Sequence, residues 1–571
     1  MNDAIEVNYD RIRVCWMALK NLPLNFFNDK ETQNFFSLLN DKIKMPNRNK
    51  AADMLIKEFD VMQNNVKKIL NNNKSKFAFT VDGWSAKTRK SYYGITIHFI
   101  DDDWILRSIA LDLKPARGKH AGSDIAQIFH NVTEFYEISE KIVGITLDNV
   151  SANTTFIEEL EKILKSKSIE FDKEDQHFRC LAHIINLGVQ DLLQLLEIDL
   201  ENHDILDNDD SESSDDDEDE INLDDNRILN IVKKIRFLSK KIKNSETLFN
   251  KLKSCCDIKD IKFKKPMIDS KTRWNSTYEM IKIALDLKKA LILLCNDDGL
   301  DLRSCQLNSQ EWNLVQDMVD YLKDFKIVTE KISGEQYVTL PSSVIAINCL
   351  LDKLEKDSFS LDHKDNRDPV DETIIKAFQM GRDKILKHYN KFNWIYCVSL
   401  VLDPRIKADG LNLTSWGVEM KDQTIGKLKS LYKDYYKKYA VDTTEEPLKK
   451  KRRHNGESSL DFNVLFANED SFSDSDLELD NYLNSPRSQP NIDILQWWKT
   501  HQKVYPILSL IARDILCVSA TSVPAERMFS EAAQVVTKLR TLLNDDKITA
   551  LICINLWMKS SLKKFICEVD I

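Results

Sequence analysis

Nowhere does this 571-residue chain carry an apolar run approaching the ~18 residues that a bilayer-spanning helix requires. Its opening residues, Met1-Asn2-Asp3-Ala4-Ile5-Glu6, also lack the basic and apolar regions of a secretory leader. No membrane association and an intracellular location are therefore expected. The eleven cysteines form no Cys-x-x-Cys pair and no dense framework, which excludes a disulfide-stapled scaffold and predicts free, mostly buried thiols. Cys15 is the only cysteine before Cys180, and His98 is the first histidine. No zinc finger can form over that stretch, and no structural zinc is expected. There is no internal repeat at solenoid spacing.

What is present is a globular composition, 42% apolar and 30% charged, in a chain too long for one ordinary core. Several domains, or one domain split by insertions, are expected. The formal charge of -10 has a local source, because the run from Asp207 to Glu220 holds ten acids and no base and the remainder is neutral. Global charge thus neither excludes nucleic acid nor argues for it. The acidic run reads as a solvated insertion that binds basic partners or mimics DNA, with serines open to phosphorylation. Lys449, Lys450, Lys451, Arg452 and Arg453 form a basic run that reads as a nuclear-import signal, a phosphate-binding strip or a solvated charge cluster. A nuclear protein is predicted.

Residues 1–73 are expected to form a helical N-terminal domain, on the spacing of Trp16, Leu19 and Leu22 and of Met54, Leu55, Phe59 and Met62. Phe77, Phe79 and Val81 then alternate along a strand ending at Asp82. Residues 93–100 and 104–111 read as two more strands, joined through Asp101-Asp102-Asp103. A helical pattern around Ile125, Ile128, Phe129 and Val132 leads to a wholly apolar strand over 142–147, which ends at Asp148. A helix over 155–164 and a strand and helix over about 179–193 complete the order of an RNase H-like fold. In that fold the buried strand pairs with the first, which sets Asp82 beside Asp148. Residues 74–200 are assigned to the first part of this core, 201–226 to an acidic disordered segment, and 227–440 to an all-α insertion. Residues 441–490 are read as a disordered linker and 491–571 as the segment completing the core. The fold class is an α/β RNase H-like catalytic core split by a large all-α insertion, with a helical N-terminal segment.

The run Ser522-Val523-Pro524-Ala525-Glu526-Arg527-Met528-Phe529-Ser530 continues through Lys538-Leu539-Arg540 to Leu551-Ile552-Cys553-Ile554-Asn555-Leu556-Trp557. It resembles the C-terminal signature of the hAT transposase superfamily, the relatives of Activator, hobo and Hermes. Thr80-Val81-Asp82-Gly83-Trp84-Ser85 and Leu147-Asp148-Asn149-Val150-Ser151-Ala152-Asn153 resemble that family's first two catalytic blocks. The resemblance implies that Asp82, Asp148 and Glu526 are catalytic and hold two magnesium or manganese ions. One ion activates the attacking oxygen and the other stabilises the departing one. Taken alone, an aspartate at a strand end is more often a cap or turn residue, and Glu526 reads equally as a surface glutamate paired with Arg527 or Lys538. The usual Ser-Glu-Arg of the family stands here as Ala525-Glu526-Arg527.

Cys180-Leu181-Ala182-His183 resembles the family's Cys-x-x-His block, which assigns His183 to a scissile-site phosphate against the plainer reading of a core histidine. Arg273-Trp274 resembles its Arg-Trp block. An indole there would stack on an unpaired base of a hairpin end, worth ~1–3 kcal/mol, against the plainer reading of a core tryptophan. Val401-Leu402-Asp403-Pro404-Arg405 is similar to a further block and reads as a helix-to-helix turn, while His120 and Gly122 resemble a His-x-Gly element. Trp497, Trp498, Phe529, Leu551 and Leu556 lie on amphipathic helices, and the dimer contacts implied for residues 491–571 compete there with burial against the sheet. Family members commonly carry an N-terminal BED zinc finger that is missing here, consistent with a truncated gene model, a decayed element or a protein taken over by its host.

These features predict a DNA-binding transposase that forms a homodimer or higher homo-oligomer and performs cut-and-paste transposition by nicking, flank hairpin formation and strand transfer. The alternative is a domesticated, catalytically inactive nuclear protein that keeps the fold and the self-association. A cellular nuclease acting on RNA–DNA hybrids accounts for the acids but not for the insertion or the C-terminal block.

Overall fold

The computed structural model describes residues 2–40, 44–86, 90–116, 121–197, 231–270, 272–297, 299–300, 302–365, 367, 369–389, 393–413, 417–439, 474–536 and 543–567. The chain forms two compact units. The first comprises Met1–His183, Lys331–Asn348 and Phe392–Ile571, and the second comprises Ile184–Glu330 and Cys349–Lys391.

The first unit holds a mixed sheet of Phe77–Ser85 (β1), Ser91–Ile100 (β2), Leu106–Pro115 (β3), Ile142–Leu147 (β4) and His177–Arg179 (β5). Its order is β3-β2-β1-β4-β5. β1 runs antiparallel to β2 and parallel to β4, β2 and β3 are antiparallel, and β4 and β5 are parallel. Every residue of β4 is buried, as its unbroken apolar sequence demands of a strand covered on both faces. Helices Gly122–Phe135 and Ser151–Ser166 pack on β1 through Phe129, whose ring meets Phe79 at 5.1 Å and Phe156 at 5.7 Å. These two helices come close enough that a Cβ on Gly122 would lie 2.4 Å from the Ala152 carbonyl oxygen and 2.5 Å from the Phe156 nitrogen.

Helix Asp545–Lys559 lies along β3. The indole of Trp557 donates to the Ala110 carbonyl at 2.8 Å and the Thr549 hydroxyl to that of Leu113 at 2.7 Å. Phe59, from the N-terminal helix Arg48–Asn72, stacks on Trp557 with centroids 5.5 Å apart, and Asn65 of the same helix donates to the Ile566 carbonyl. The helical N-terminal segment is thus part of the sheet-bearing unit. Helices Trp394–Val401 and Gly417–Tyr439 also belong to this unit.

Two elements differ from the sequence expectation. β3 starts at Leu106 rather than at 104, because Trp104 has φ of 60° and sits in a turn where the Asp101 carboxylate accepts from the nitrogens of Asp103 and Ile105. The expected disordered linker contains a helix, Asp474–Asn484. Its acidic composition hides a narrow apolar stripe in which Leu479 and Tyr482, three positions apart, are both buried. The Tyr482 hydroxyl donates to the Val401 carbonyl at 2.9 Å, and Glu478 accepts from the Leu508 nitrogen at 2.7 Å. Residues 441–473 of that linker, with the basic run Lys449–Arg453, and the acidic run 207–220 lie outside the described residues.

Among the described residues, the regular secondary structure of the second unit is all helical. Helix Ile231–Asn244 buries Val232, Ile235, Leu238 and Ile242 on one face, and helix Trp274–Asp286 buries Trp274, Tyr278 and Ile281. A mixed sheet in a chain that is otherwise mostly helical is consistent with an RNase H-like core carrying a helical insertion.

Candidate active site

The parallel register of β1 and β4 pairs Thr80 with Thr146. Two residues further along each strand direction come Asp82, still in β1, and Asp148, the first residue after β4 ends at Leu147. The two acids therefore leave the same edge of adjacent strands, and both are half-buried. Asp82 accepts from its own Gly83 nitrogen at 2.9 Å, and Asp148 is held by the side-chain amide of Asn153 in the first turn of helix Ser151–Ser166.

Glu526 reaches this edge from a segment far along the chain. The Thr146 hydroxyl donates to the Ser519 carbonyl at 2.8 Å, the Leu181 nitrogen to the Ala520 carbonyl at 3.1 Å, and the Ser522 nitrogen to the Cys180 thiol at 3.3 Å. The Cys180 nitrogen in turn donates to the Leu147 carbonyl at 2.7 Å. Helix Val523–Val535 then carries Pro524 as its second residue and Glu526 in its first turn, where the helix dipole favours a carboxylate. Phe529, one turn later, stacks on Trp84 with centroids 5.8 Å apart and planes within 9°. The ring lies over Gly94, the β2 partner of Asp82, where a Cβ would meet it at 2.9 Å. Arg527 turns away from its neighbour and pairs with Glu335 at 2.6 Å.

Burial pulls the His183 imidazole below its ordinary range, while the charges of Asp148 and Glu526 push it back up. His183 is therefore within the electrostatic reach of both acids. Burial raises the Cys180 thiol to about 11, so it stays protonated at neutral pH and packs as a small apolar group. A set of carboxylates at a half-buried strand edge is the donor chemistry that magnesium or manganese takes. Among the described residues, however, no three His, Cys, Asp or Glu side chains converge tightly enough to hold a metal ion as they stand. The donor types fit the cation and the present spacing does not close on it.

The other sequence candidates are placed apart from these acids or within hydrophobic cores. Trp274, with 1% of its surface exposed, packs edge-on against Tyr278 and Phe325 inside the second unit. This corrects the base-stacking expectation for the indole, because a ring enclosed on all sides presents no face to a nucleotide. Arg273 is the preceding residue at the cap of the same helix. Trp498 is fully buried and donates to the Leu402 carbonyl at 3.0 Å, and Trp497, Phe529 and Leu551 are also buried in the first unit while Leu556 is half-buried. Apart from Leu556, their apolar surface is covered by their own chain. Asp403 is fully buried and forked to Arg405, as befits a structural turn. His120 and residues 538–540 lie outside the described residues. Sequence reasoning missed Asn153, although it stands in the same block as Asp148, and missed the Trp84–Phe529 stack, for which no local signal exists.

Three segments match known families in chain order. Residues 80–175 match the ZBED1 RNase-like domain, 178–321 the ZBED1 RNase-like helical domain, and 478–558 the hAT family C-terminal dimerisation region. The putative AC transposase of Zea mays is 26% identical over 546 residues, covering 91% of this chain and 61% of the relative. The putative transcriptional regulator tpeD of Talaromyces stipitatus is 27% identical, covering 81% of this chain and 51% of the relative. The zinc finger BED domain-containing protein RICESLEEPER 2 of Oryza sativa subsp. japonica is 22% identical, covering 96% and 75%. The chain thus spans about three fifths of the length of the maize relative. It carries, in order, ZBED1-type RNase-like domains and the hAT family C-terminal dimerisation region, and its relatives include AC transposases and BED zinc finger proteins.

Proposed function

We propose that this protein is a hAT-type DNA transposase that cleaves DNA ends and joins them to a target, acting as a self-associated nuclear protein. What supports the reading is the stitching of residues 519–522, just ahead of Glu526, to β4 and Cys180 beside the strand edge that bears Asp82 and Asp148. On this reading the RNase H-like core is split by the helical insertion, and Asp82, Asp148 and Glu526 hold the divalent ions. Bound there, magnesium or manganese would supply an activated attacking oxygen and charge stabilisation of the departing one. Asn153 fixes the Asp148 carboxylate and leaves its second oxygen for a ligand. His183, neutral at physiological pH on the strength of its burial, offers an N–H to a phosphate oxygen. The Trp84–Phe529 stack keeps the glutamate helix against β1. Self-association through 478–558 and nuclear entry through Lys449–Arg453 complete the proposal.

A second reading, a domesticated protein that keeps fold and self-association without cleavage, is favoured by the spacing of the three acids and by the likeness to RICESLEEPER 2. The two are separated by incubating purified protein and manganese with a pre-nicked duplex, beside Asp148→Ala and Glu526→Gln, on a denaturing gel. A hairpin product from the unmodified protein alone supports the transposase. No product from a protein that still self-associates and binds DNA supports the second reading, and cleavage confined to RNA–DNA hybrids refutes both.

A further inference from the structure

Residues 231–265 carry twelve Lys or Arg against three acids, in a chain whose overall charge is -10. Helix Ile231–Asn244 concentrates this excess, with six bases and no acid. At 3.6 residues per turn its buried set, Val232, Ile235, Leu238, Ser239 and Ile242, occupies one face, and Lys233, Phe237, Lys240 and Asn244 centre the opposite one. The bases sort accordingly. Lys234 and Arg236 stand at the margins and are neutralised, by Glu311 at 2.6 Å and by a bidentate pair with Asp269 at 2.7 and 2.8 Å. Lys241 lies over the Phe237 ring at 4.8 Å, while Lys233 and Lys240 on the outer face and Lys243 at its margin are exposed, and among the described residues no carboxylate pairs with these three.

This arrangement is unfavourable to the helix on its own. Like charges three and four positions apart repel, and Lys233 in the first turn opposes the helix dipole. A polyanion reverses both effects. From Lys233 to Lys243 the helix rises about 15 Å, the length over which one strand of a duplex advances by about four phosphates along its axis. We propose that the outer face of helix Ile231–Asn244 docks on the phosphate backbone of duplex DNA, without regard to sequence. The inference rests on the DNA-acting reading above and adds a binding surface outside the acidic site.

The test is the salt dependence of binding of the full chain to a fluorescent random-sequence duplex, beside a triple Lys233→Gln, Lys240→Gln, Lys243→Gln variant. Loss of three phosphate contacts lowers the slope of log affinity against log salt by about 2.7 and weakens binding roughly 500-fold at 0.1 M salt. The thermal midpoint does not fall, because all three side chains are exposed and their neutralisation relieves the repulsion. A variant with the wild-type slope overturns the proposal, as does tighter binding of poly-glutamate than of DNA by the unmodified chain. The cleavage reading fails separately: a chain with the expected slope change that never cuts nicked DNA retains this surface and loses the transposase. A chain that cuts while the variant binds normally loses only the surface.

Discussion

Gly122→Ala tests whether the acid-bearing edge depends on the close approach of the two helices behind it. The added methyl would meet the Ala152 carbonyl oxygen at 2.4 Å, the Phe156 nitrogen at 2.5 Å and the Thr155 Cβ at 2.7 Å. Ordinary contact begins near 3.4 Å, so the helices must separate by about 1 Å. Two of the three obstructing atoms are backbone and cannot rotate aside, which places the cost at the upper end of overpacking, about 3 kcal/mol. The helix that must move, Ser151–Ser166, carries Asn153, so the Asp148 carboxylate should loosen with it. Urea unfolding followed by circular dichroism gives the first quantity, and hydrogen exchange over residues 148–156 gives the second. Gly426→Ala is the internal reference. That glycine lies exposed within helix Gly417–Tyr439 with nothing near the new methyl, so the substitution should stabilise by about 0.5–1 kcal/mol. Equal stability of Gly122→Ala and wild type, or a loss in Gly426→Ala matching that of Gly122→Ala, would refute the reasoning.

Asp514→Ala should cost about 2–4 kcal/mol in urea unfolding, because it strands the Lys76 nitrogen and the Tyr435 hydroxyl, which reach Asp514 at 2.7 and 2.6 Å. Asp514→Asn, which keeps an acceptor, should recover most of that, and equal losses in the two variants would sink the argument. Burial, helped by Arg179, lowers the His177 imidazole from 6.5 to about 4. The unfolded chain takes up this proton first as pH falls, so the histidine's contribution is complete above 6.5 and is lost toward 4, at ~1.4 kcal/mol per pH unit. The stability difference between wild type and His177→Gln should slope over that window, and parallel curves would contradict it. Trp274→Ala should destabilise the second unit by about 3–5 kcal/mol as a core truncation. Folded Trp274→Phe should keep wild-type DNA affinity, whereas a tenfold loss would restore the base-stacking role.

Much of the sheet was legible because its signals are local. The unbroken apolar run of β4, its stop at Asp148, and the acidic turn after β2 each follow from a few adjacent residues. Helix Asp474–Asn484 was hidden because its two apolar contacts are too few to outweigh an acidic composition. The candidate site was legible as residue types in recognisable blocks. What holds it was not: the slot that Gly94 leaves for Phe529 and the thiol of Cys180 beneath Ser522 join residues hundreds of positions apart. Trp274 shows the opposite limit, since one local pattern suits both a core ring and a stacking ring and only the packing decides.

The bond from Thr146 to Ser519 spans 373 positions. At ~5–20 residues per second, a ribosome needs about 20 to 75 seconds to cross that interval. Throughout it a nascent chain owns both strand-end aspartates and lacks the segment that carries the glutamate. A prematurely ended product is in the same condition, because the stitching partners of β4 and Cys180 have not been made. On the proposed reading, completion of synthesis works as a licence: the strand edge acquires its third acid only after nearly every other residue of the protein exists.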